Sequence, residues 1–335
     1  MAGPDNGLTT DGGVMENRYL IVADPLEQLN PVFDLGVLVS GELLRRGIAV
    51  DYLDQSRHDA TLDTDTYLSG LPVREIRSKD AQRPDFWELG PEVRRPADDY
   101  TVVLQRKDPP VDAGFKAHAE HWIRAPEAIV QINRPPATYE LSEHTVALRY
   151  PEYATPTWTC SSFEELVAAV RAQDREAVCK PKNTYCGIGV TFIHPAAPEE
   201  ELRSFWEAWA PEVIVQPYLE AIEESGDLRI LTIDQEVLGS VLRVPAEGSR
   251  LANLHQGATA ARLEPTPRQL ECCRVVAEDL NPLGLHLLGL DFIGEHLNEV
   301  NFTSPTTLTQ INQVNGIQGE RALIDQTERM WRARR

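Results

Sequence analysis

The strongest structural signal in this 335-residue chain is the stretch Gly289-Leu290-Asp291-Phe292-Ile293-Gly294-Glu295-His296-Leu297-Asn298-Glu299-Val300-Asn301. Apolar runs on both sides of a central turn predict a β-hairpin. A three-residue loop after Ile293 pairs that residue with Leu297. This register puts Asp291 opposite Glu299, and Asn301 shares their face because side chains alternate along a strand.

Two carboxylates and an amide oxygen that converge on one sheet face are typical of a divalent-cation site. Carboxylates that face each other in a buried sheet repel unless a cation neutralises them. Hard oxygen ligands suit Mg²⁺, above all Mg²⁺ that a polyphosphate carries. The alternative is a solvated hairpin face, which the apolar residues flanking both strands disfavour. We therefore expect Asp291, Glu299 and Asn301 to be metal ligands.

A second motif, Lys180-Pro181-Lys182-Asn183-Thr184-Tyr185-Cys186-Gly187-Ile188-Gly189, follows a short apolar strand. Glycines in such a loop let backbone N–H groups turn inward, and this is how phosphate oxygens are held. The motif has neither the P-loop nor the dinucleotide-binding pattern, so an ordinary hairpin loop is the alternative. Only five of the 32 basic residues are lysines, and two of these five lie here. We expect phosphate contacts from Lys180, Lys182, Gly187 and Gly189.

Arginines stand in or at the ends of predicted strands at Arg106, Arg229 and Arg243. A guanidinium group binds a carboxylate or a phosphate through two parallel hydrogen bonds. Arginine is common in this chain, so each of the three taken singly is typical of a surface ion pair. If the three arginines lie close to the acidic hairpin and to the glycine-containing loop, we expect them to bind a substrate carboxylate or phosphate.

The predicted elements divide the chain into a tail and two larger parts. Residues 1–17 are polar and glycine-rich, which predicts a disordered tail rather than a signal peptide. Residues 18–134 open with strand, helix and strand, the pattern of a parallel α/β sheet. Residues 135–330 mix antiparallel hairpins with helices, which is typical of α+β packing. The predicted strands are 19–23, 48–53, 100–105, 129–132, 177–180, 190–193, 213–216, 228–233, 237–242, 287–293 and 297–302, and the predicted helices are 33–46, 161–170, 198–210 and 269–280.

Composition excludes several classes of function. The formal net charge of −20 disfavours nucleic acid and anionic membranes as partners, because both repel an acidic surface. The five cysteines are odd in number and lack paired spacing, which argues against a disulfide framework or a zinc site and suits the cytoplasm. An apolar run long enough to span a bilayer is absent from the sequence. We expect a cytoplasmic protein whose partners are small molecules.

Taken in order, the motifs resemble those of prokaryotic glutathione synthetase, a member of the ATP-grasp ligases, from about residue 18 to residue 330. The matching segments are Asp24-Pro25, Arg106-Lys107-Asp108-Pro109-Pro110, Gln216-Pro217-Tyr218-Leu219, Gly226-Asp227-Leu228-Arg229, Arg243-Val244-Pro245, Gly289-Leu290-Asp291 and Glu299-Val300-Asn301-Phe302-Thr303-Ser304-Pro305-Thr306.

The resemblance implies an ATP-grasp fold with three parts. Residues 18–134 would form a Rossmann-like, pre-ATP-grasp substrate domain with a parallel sheet. Residues 135–330 would form the ATP-grasp domain, with a central lid at about 156–217 and a catalytic part at about 218–330. ATP would lie between two antiparallel sheets with two Mg²⁺ ions, for which Mn²⁺ could substitute. The resemblance also implies a homo-oligomer, a dimer or a tetramer.

The resemblance implies a role for each matching residue in a ligase that forms an amide bond through an acyl phosphate. Lys180 would bind the phosphates, and Asp227 would contact the ribose. Arg229 and Arg243 would stabilise the transferred phosphoryl group, and Arg106 would bind a substrate carboxylate. The adenine hinge would comprise Gln216, Pro217, Tyr218 and Leu219. The remaining expected contacts are His144 on the nucleotide, and Asp24, Asn253, Ser304 and Thr306 on the substrates.

Several positions depart from the family pattern. His144 stands where the family has a phosphate-binding lysine, and Val32-Phe33 replaces a pair of lysines. The family's Asp-Gly-x-Gly-Gly loop is replaced by the bulkier 183–189, and Leu228 and Leu251 stand where the family has basic residues. These changes favour a diverged relative that couples a small peptide or amino-acid carboxylate to an amine. The alternatives are glutathione synthase proper, which joins γ-glutamylcysteine to glycine, and an inactive nucleotide-binding regulatory protein.

Overall fold

A computed structural model describes residues 17–57, 61–80, 82–83, 85–182, 187–246, 248, 250, 252, 254 and 257–335. The described chain forms three β-sheets with helices packed around them. The tail predicted at residues 1–17 lies outside the described residues apart from its last residue. Among the helices that are described, none is both long enough and apolar enough to cross a lipid bilayer.

The N-terminal part forms a six-stranded sheet in the order β4-β3-β2-β1-β5-β6. Its elements are β1 (Arg18–Ala23), α1 (Leu35–Arg45), β2 (Ala49–Asp54), α2 (Thr64–Ser69), β3 (Leu71–Lys79), β4 (Trp87–Arg95), β5 (Val102–Arg106), α3 (Ala113–Ile123) and β6 (Val130–Ile132). Strands β2, β1, β5 and β6 are parallel, as the predicted strand–helix–strand unit requires. The antiparallel hairpin β3–β4 lies in the stretch 55–99, where no element was predicted. Most of β4 is solvent-exposed, so its sequence lacks apolar alternation.

The middle of the chain forms a four-stranded antiparallel sheet in the order β7-β10-β8-β9, here called the lid sheet. It follows the short helix α4 (Pro135–Glu140), and its elements are β7 (Trp158–Cys160), α5 (Phe163–Arg171), β8 (Ala177–Pro181), β9 (Thr191–Ile193), α6 (Glu199–Trp209) and β10 (Val213–Pro217). Helix α5 begins where predicted, because the Ser162 side chain accepts a hydrogen bond from the Glu165 N–H.

The C-terminal part forms a five-stranded antiparallel sheet in the order β13-β12-β11-β14-β15, here called the third sheet. Its elements are α7 (Ala221–Ser225), β11 (Asp227–Ile233), β12 (Glu236–Val244), β13 (Thr259–Ala261), α8 (Pro267–Leu280), β14 (Leu287–Ile293), β15 (His296–Asn301), α9 (Leu308–Asn315) and α10 (Gly319–Ala333). Together the three sheets confirm the predicted class, a parallel α/β part followed by α+β hairpins.

The predicted hairpin β14–β15 has a different turn from the one expected. Ile293 pairs with His296 and not with Leu297, so the loop contains two residues rather than three. A β-bulge next to Asp291 then shifts the register by one residue. Asp291 therefore still pairs with Glu299, and the predicted juxtaposition of the two carboxylates is confirmed.

The N-terminal sheet and the C-terminal helices share one hydrophobic core. The face of β1 that carries Tyr19 and Ile21 is completely buried in a cluster that includes Ile311 and Leu323 of α9 and α10. The Tyr19 hydroxyl lies 2.8 Å from the Thr327 hydroxyl. This packing fixes one face of the parallel sheet against the C-terminal helices and the third sheet.

Asn133, just after β6, is a second connection between these parts and is almost fully buried. Its Nδ2 donates to the carbonyl oxygens of Leu287 and Phe302, each at 2.7 Å. Its Oδ1 accepts from the backbone N–H groups of His286 and Leu287, each at 2.8 Å. One side chain thus satisfies four backbone groups at the start of β14 and the end of β15.

Candidate active site

A cavity of ≈ 470 Å³ opens between the lid sheet and the third sheet. Residues of the loop that follows β1 and the segment 304–307 also line it. Fifteen of the twenty residues predicted to form a site line this cavity. They are His144, Lys180, Gly187, Gln216, Pro217, Tyr218, Leu219, Asp227, Arg229, Arg243, Asp291, Glu299, Asn301, Ser304 and Thr306.

A row of charged side chains crosses four neighbouring strands of the third sheet at the cavity floor. The strand register pairs Arg243 with Asp227, Arg229 with Asp291, and Asp291 with Glu299. These five residues are called the charged row below. Cations and anions alternate from Arg243 through Asp227 and Arg229 to Asp291, so each of these four charges has an opposite charge beside it.

Asp291 is the centre of this row. Its two carboxylate oxygens accept from Nε and Nη2 of Arg229, each at 2.7 Å. Oδ2 also lies 2.9 Å from Nη2 of Arg243 and 3.1 Å from Nδ2 of Asn301. Burial alone would raise the pKa of Asp291, but the two guanidinium groups outweigh it and hold the pKa below its ordinary value. Asp291 is therefore ionised and tightly held.

Glu299 has a different partner, because His144 approaches it from the segment that precedes the lid. His144 Nδ1 lies 2.6 Å from Glu299 Oε1. Burial would raise the pKa of Glu299, but His144 and Lys180 lower it. The neighbouring Glu143 accepts hydrogen bonds from the N–H groups of Phe302 and Thr303, each at 2.6 Å, and so fixes this segment against the end of β15.

The residues that the sequence predicts as metal ligands lie within this arrangement. Among the described residues, no three or more His, Cys, Asp or Glu side chains are grouped to hold a metal ion. The predicted set has two carboxylates, Asp291 and Glu299, with the amide of Asn301 beside them. These hard oxygen donors fit Mg²⁺ bound to a polyphosphate, whose oxygens complete the coordination. Such an ion would share Asp291 with the guanidinium groups.

The two lysines of the glycine-containing loop have different surroundings. Lys180 is buried in β8 and faces the cavity, and burial lowers its pKa against the opposing effect of Glu299 and Asp227. Lys182 is more exposed, and its Nζ lies 2.9 Å from Oε1 of Glu212. Lys182 is not among the described residues that line the cavity. The structure therefore supplies one lysine to this cavity wall where two were expected.

The two glycines of the same loop also differ. Gly187 lines the cavity, whereas Gly189 is not among the described residues that do. At Gly189 the φ angle is +78°, and a Cβ atom would lie 2.7 Å from Pro181 Cγ and 2.8 Å from Trp209 Cζ2. Gly189 is thus explained by local packing. Residues 183–186 lie outside the described part of the chain.

The predicted hinge residues 216–219 line the cavity beside an arginine that the sequence did not single out as a site residue. Gln216 is buried and donates to the Thr157 hydroxyl at 2.8 Å. The Arg250 guanidinium carbon lies 4.0 Å from the ring centroid of Phe192 and 4.3 Å from that of Tyr218. Arg250 also pairs with Glu176 at 2.6 Å. The sequence around Arg250 does not signal these contacts, since its partners lie far away in the chain.

Three of the residues expected to bind substrate are placed away from the cavity lining or are not described. Arg106 is 1% exposed, and Nε, Nη1 and Nη2 have no hydrogen-bond partner among the described residues. Burial lowers the pKa of Arg106 despite the nearby charges of Asp34 and Asp108, which do line the cavity. Asp24 instead joins two strand ends, because it contacts Lys107 Nζ and the Asp108 N–H, each at 2.8 Å. Asn253 lies outside the described residues.

Comparison with protein-family models gives two matches that together span most of the chain. The model of the prokaryotic glutathione synthetase N-terminal domain matches residues 18–138. The model of the prokaryotic glutathione synthetase ATP-grasp domain matches residues 143–316. The two matches follow the same order as the motifs and cover all three sheets.

Similar curated proteins include glutathione synthetases from two marine cyanobacteria. That of Prochlorococcus marinus (strain MIT 9313) is 33% identical over 305 residues, which cover 90% of this chain and 95% of the relative. That of Parasynechococcus marenigrum (strain WH8102) is 32% identical over 315 residues, which cover 92% and 97%.

Solved structures share the fold at lower sequence identity. The D-cycloserine synthetase DcsG superimposes with a TM-score of 0.62 at 14% identity, over 93% of this chain and 100% of that one. D-alanyl-alanine synthetase A from Vibrio cholerae gives 0.61 at 12% identity, over 95% and 99%. The chain therefore has the ATP-grasp fold, belongs to the prokaryotic glutathione synthetase family, and is an ATP-dependent, ADP-forming ligase.

Proposed function

We propose that the chain activates a small carboxylate with ATP and joins it to an amine through an acyl phosphate. The observation that carries this proposal is the charged row together with Lys180. This set places three cations and three carboxylates around one cavity between two antiparallel sheets. Positive and negative charges are therefore equal in number in this set before substrates bind. In the proposed function the cations bind phosphate and the carboxylates bind metal ions.

In this proposal the nucleotide spans the cavity from the hinge to the charged row. Gln216, Pro217, Tyr218 and Leu219 contact the base, and Lys180 binds phosphate oxygens with Gly187 near them. His144 stands between Glu299 and the phosphates in place of the family lysine. Support comes from the burial of Lys180, since a buried ammonium without an anionic ligand is costly.

Asp291, Glu299 and Asn301 hold the divalent ions that the family uses, and we propose two of them. When bound, Mg²⁺ neutralises phosphate charge and polarises the phosphoryl oxygens. The carboxylates of this chain provide the anchor for these ions, and Arg229 fixes the orientation of Asp291 through two hydrogen bonds.

The reaction has two displacements. A carboxylate oxygen of the donor attacks the γ-phosphorus, the bond to the β–γ bridging oxygen breaks, and ADP leaves. The amine nitrogen then attacks the acyl carbon, loses a proton, and expels inorganic phosphate as the amide forms. Arg229 and Arg243 stabilise the negative charge that develops in both steps, and their fixed positions avoid reorganisation during the reaction. The lid sheet and the third sheet wall the cavity on two sides and limit the access of water, which would hydrolyse the acyl phosphate.

Two candidate donors follow from different observations. Phe33 lines the cavity at a position where the family has a lysine, and this favours a donor other than γ-glutamylcysteine. The curated relatives quoted above are all glutathione synthetases, and this favours γ-glutamylcysteine with glycine as acceptor. In both cases Arg106, Ser304 and Thr306 are the residues we assign to the substrates.

An ADP-release screen separates these candidates. Purified protein with ATP and Mg²⁺ receives γ-glutamylcysteine and glycine, and then amino acids and dipeptides paired with glycine and other amines. We expect ADP to be released only when the donor, the amine and Mg²⁺ are all present. The highest kcat/KM with γ-glutamylcysteine and glycine identifies glutathione synthesis, and a higher value with another pair identifies the diverged ligase. Failure of every pair to release ADP contradicts the proposed function.

A further inference from the structure

Arg243 has two carboxylate partners. In the proposed function this arginine stabilises the negative charge that develops during the reaction. Its Nη2 lies 2.9 Å from Asp291 Oδ2 and 2.5 Å from Asp227 Oδ2. Arg243 and Asp227 are each buried for the most part, so little solvent competes with this contact. Burial would lower the pKa of Arg243, and Asp227 is the first of the charges that raise it instead.

The two carboxylates differ in how much of their charge is available to Arg243. Asp291 already accepts two hydrogen bonds from Arg229 and one from Asn301, and it is a proposed metal ligand. Asp227 is neither engaged by Arg229 through a hydrogen bond nor assigned to a metal. Asp227 is therefore the partner that holds Arg243 when Asp291 is shared.

The backbone also brings Asp227 to this place. Gly226 ends α7 with a φ angle of +70°, and a Cβ atom there would lie 2.5 Å from the carbonyl oxygen of Arg243. Only glycine permits this close approach of the two strands. The approach sets the register in which Asp227 pairs directly with Arg243.

From this geometry we infer that Asp227 is a positioning residue, which holds the Arg243 guanidinium in place for phosphoryl transfer through Oδ2. The inference rests on the proposed function, and it differs from the ribose contact that the family resemblance implies for Asp227. Oδ1 is buried and has no hydrogen-bond partner among the described residues, and Asp227 is one of the residues that line the cavity. The two roles therefore belong to different oxygens of one carboxylate and can be separated by experiment.

The test compares Asp227→Asn and Asp227→Ala with the unmodified protein, using ATP and 2′-deoxy-ATP. The asparagine carbonyl can still accept from Arg243 but carries no charge. We expect kcat to fall in the order Asp, Asn, Ala, by about 10- to 100-fold in the alanine variant. We expect KM for ATP to change little, and the ratio of kcat/KM for the two nucleotides to stay constant. A raised KM for ATP with unchanged kcat would overturn the inference and assign Asp227 to the ribose.

A double-mutant cycle with Arg243→Lys distinguishes positioning from a general loss of structure. Lysine keeps the charge but cannot hydrogen-bond two carboxylates in the same geometry. If Asp227 acts through Arg243, Asp227→Asn has little further effect on kcat in the Arg243→Lys protein. The same fold-loss in both backgrounds would overturn the inference. If the unmodified protein turns over no pair in the substrate screen, the proposed function fails first, so the two failures are distinguishable.

Discussion

Replacement of Arg106 by methionine should make the protein more stable and less able to use its acyl donor. Arg106 is 1% exposed, and its three guanidinium nitrogens lack hydrogen-bond partners among the described residues. Desolvation of such a charge opposes folding, and burial accordingly lowers the pKa of Arg106. Arg106 does not itself line the described cavity, but its neighbours Asp34 and Asp108 do. A donor carboxylate that reaches Arg106 from this side would complete its hydrogen bonds, as expected of a carboxylate clamp.

The magnitude follows from what methionine removes. Replacing a buried ion pair by apolar residues of similar volume is often neutral or stabilises a protein by about 1–4 kcal/mol. Arg106 has no hydrogen-bonded carboxylate among the described residues, so its removal leaves no directly paired buried carboxylate behind. The attraction of Asp34 and Asp108 to Arg106 is lost at the same time, so we expect roughly 2 kcal/mol. A charged hydrogen bond contributes about 1.5–3 kcal/mol, so KM for the donor should rise about 10- to 100-fold.

Equilibrium urea unfolding without ligands and initial rates against donor concentration measure the two effects. Lys107→Met is the matched control. Lys107 Nζ lies 2.8 Å from Oδ1 of the buried Asp24, so this substitution removes a charged partner from that carboxylate. The control should therefore be destabilised, opposite in sign to Arg106→Met. Lower stability of Arg106→Met with an unchanged KM for the donor would refute the reasoning and make Arg106 a structural residue.

Three further substitutions test other parts of the site and the fold. Lys180→Ala should raise the Kd for ATP, measured by calorimetry, at least tenfold (about 1.4 kcal/mol). The control Lys182→Ala should leave this Kd within about twofold, because Lys182 pairs with Glu212 outside the cavity lining. Equal effects of the two substitutions would contradict the different roles given to the two lysines. Glu299→Gln should abolish Mg²⁺-dependent ADP release while circular dichroism stays unchanged, and near-normal turnover would remove Glu299 from the metal site. Asn133→Ala should lower the free energy of unfolding by roughly 3 kcal/mol, since four buried backbone groups lose their hydrogen-bond partner. Urea titrations measure this loss. A loss under about 1 kcal/mol would show that water replaces the amide of Asn133.

Local patterns predicted the elements whose apolar periodicity is strong. Strand β1, helix α1, strand β2 and the hairpin β14–β15 lie within a few residues of their predicted bounds. The hairpin turn was wrong by one residue, because a β-bulge is a tertiary feature that the sequence does not signal. Strands β3 and β4 were missed for different reasons: β3 buries Leu71, Val73 and Ile76 but carries charged residues between and after them, and most of the edge strand β4 is exposed, so neither shows a clear apolar alternation.

Site residues could be predicted from the sequence where a residue and its neighbours in the chain form a recognisable motif. Asp291, Glu299 and Lys180 line the cavity, as their motifs indicated. Lys182 was grouped with Lys180 by proximity in sequence, but the chain turns after Pro181 and directs it to Glu212. Arg250 contacts the rings of Phe192 and Tyr218, each more than thirty positions before it in the chain. Such contacts depend on packing between sheets.

The central claim, phosphorylation of a donor carboxylate in this cavity, is tested most directly by oxygen transfer. The donor is labelled with ¹⁸O in the carboxylate to be activated, beginning with γ-glutamylcysteine labelled in its cysteinyl carboxylate and continuing with the best pair from the screen. The inorganic phosphate released with ATP, Mg²⁺ and amine is then analysed by mass spectrometry. An acyl phosphate predicts that each phosphate carries one ¹⁸O atom from the donor. Unlabelled phosphate during full amide formation would contradict the account.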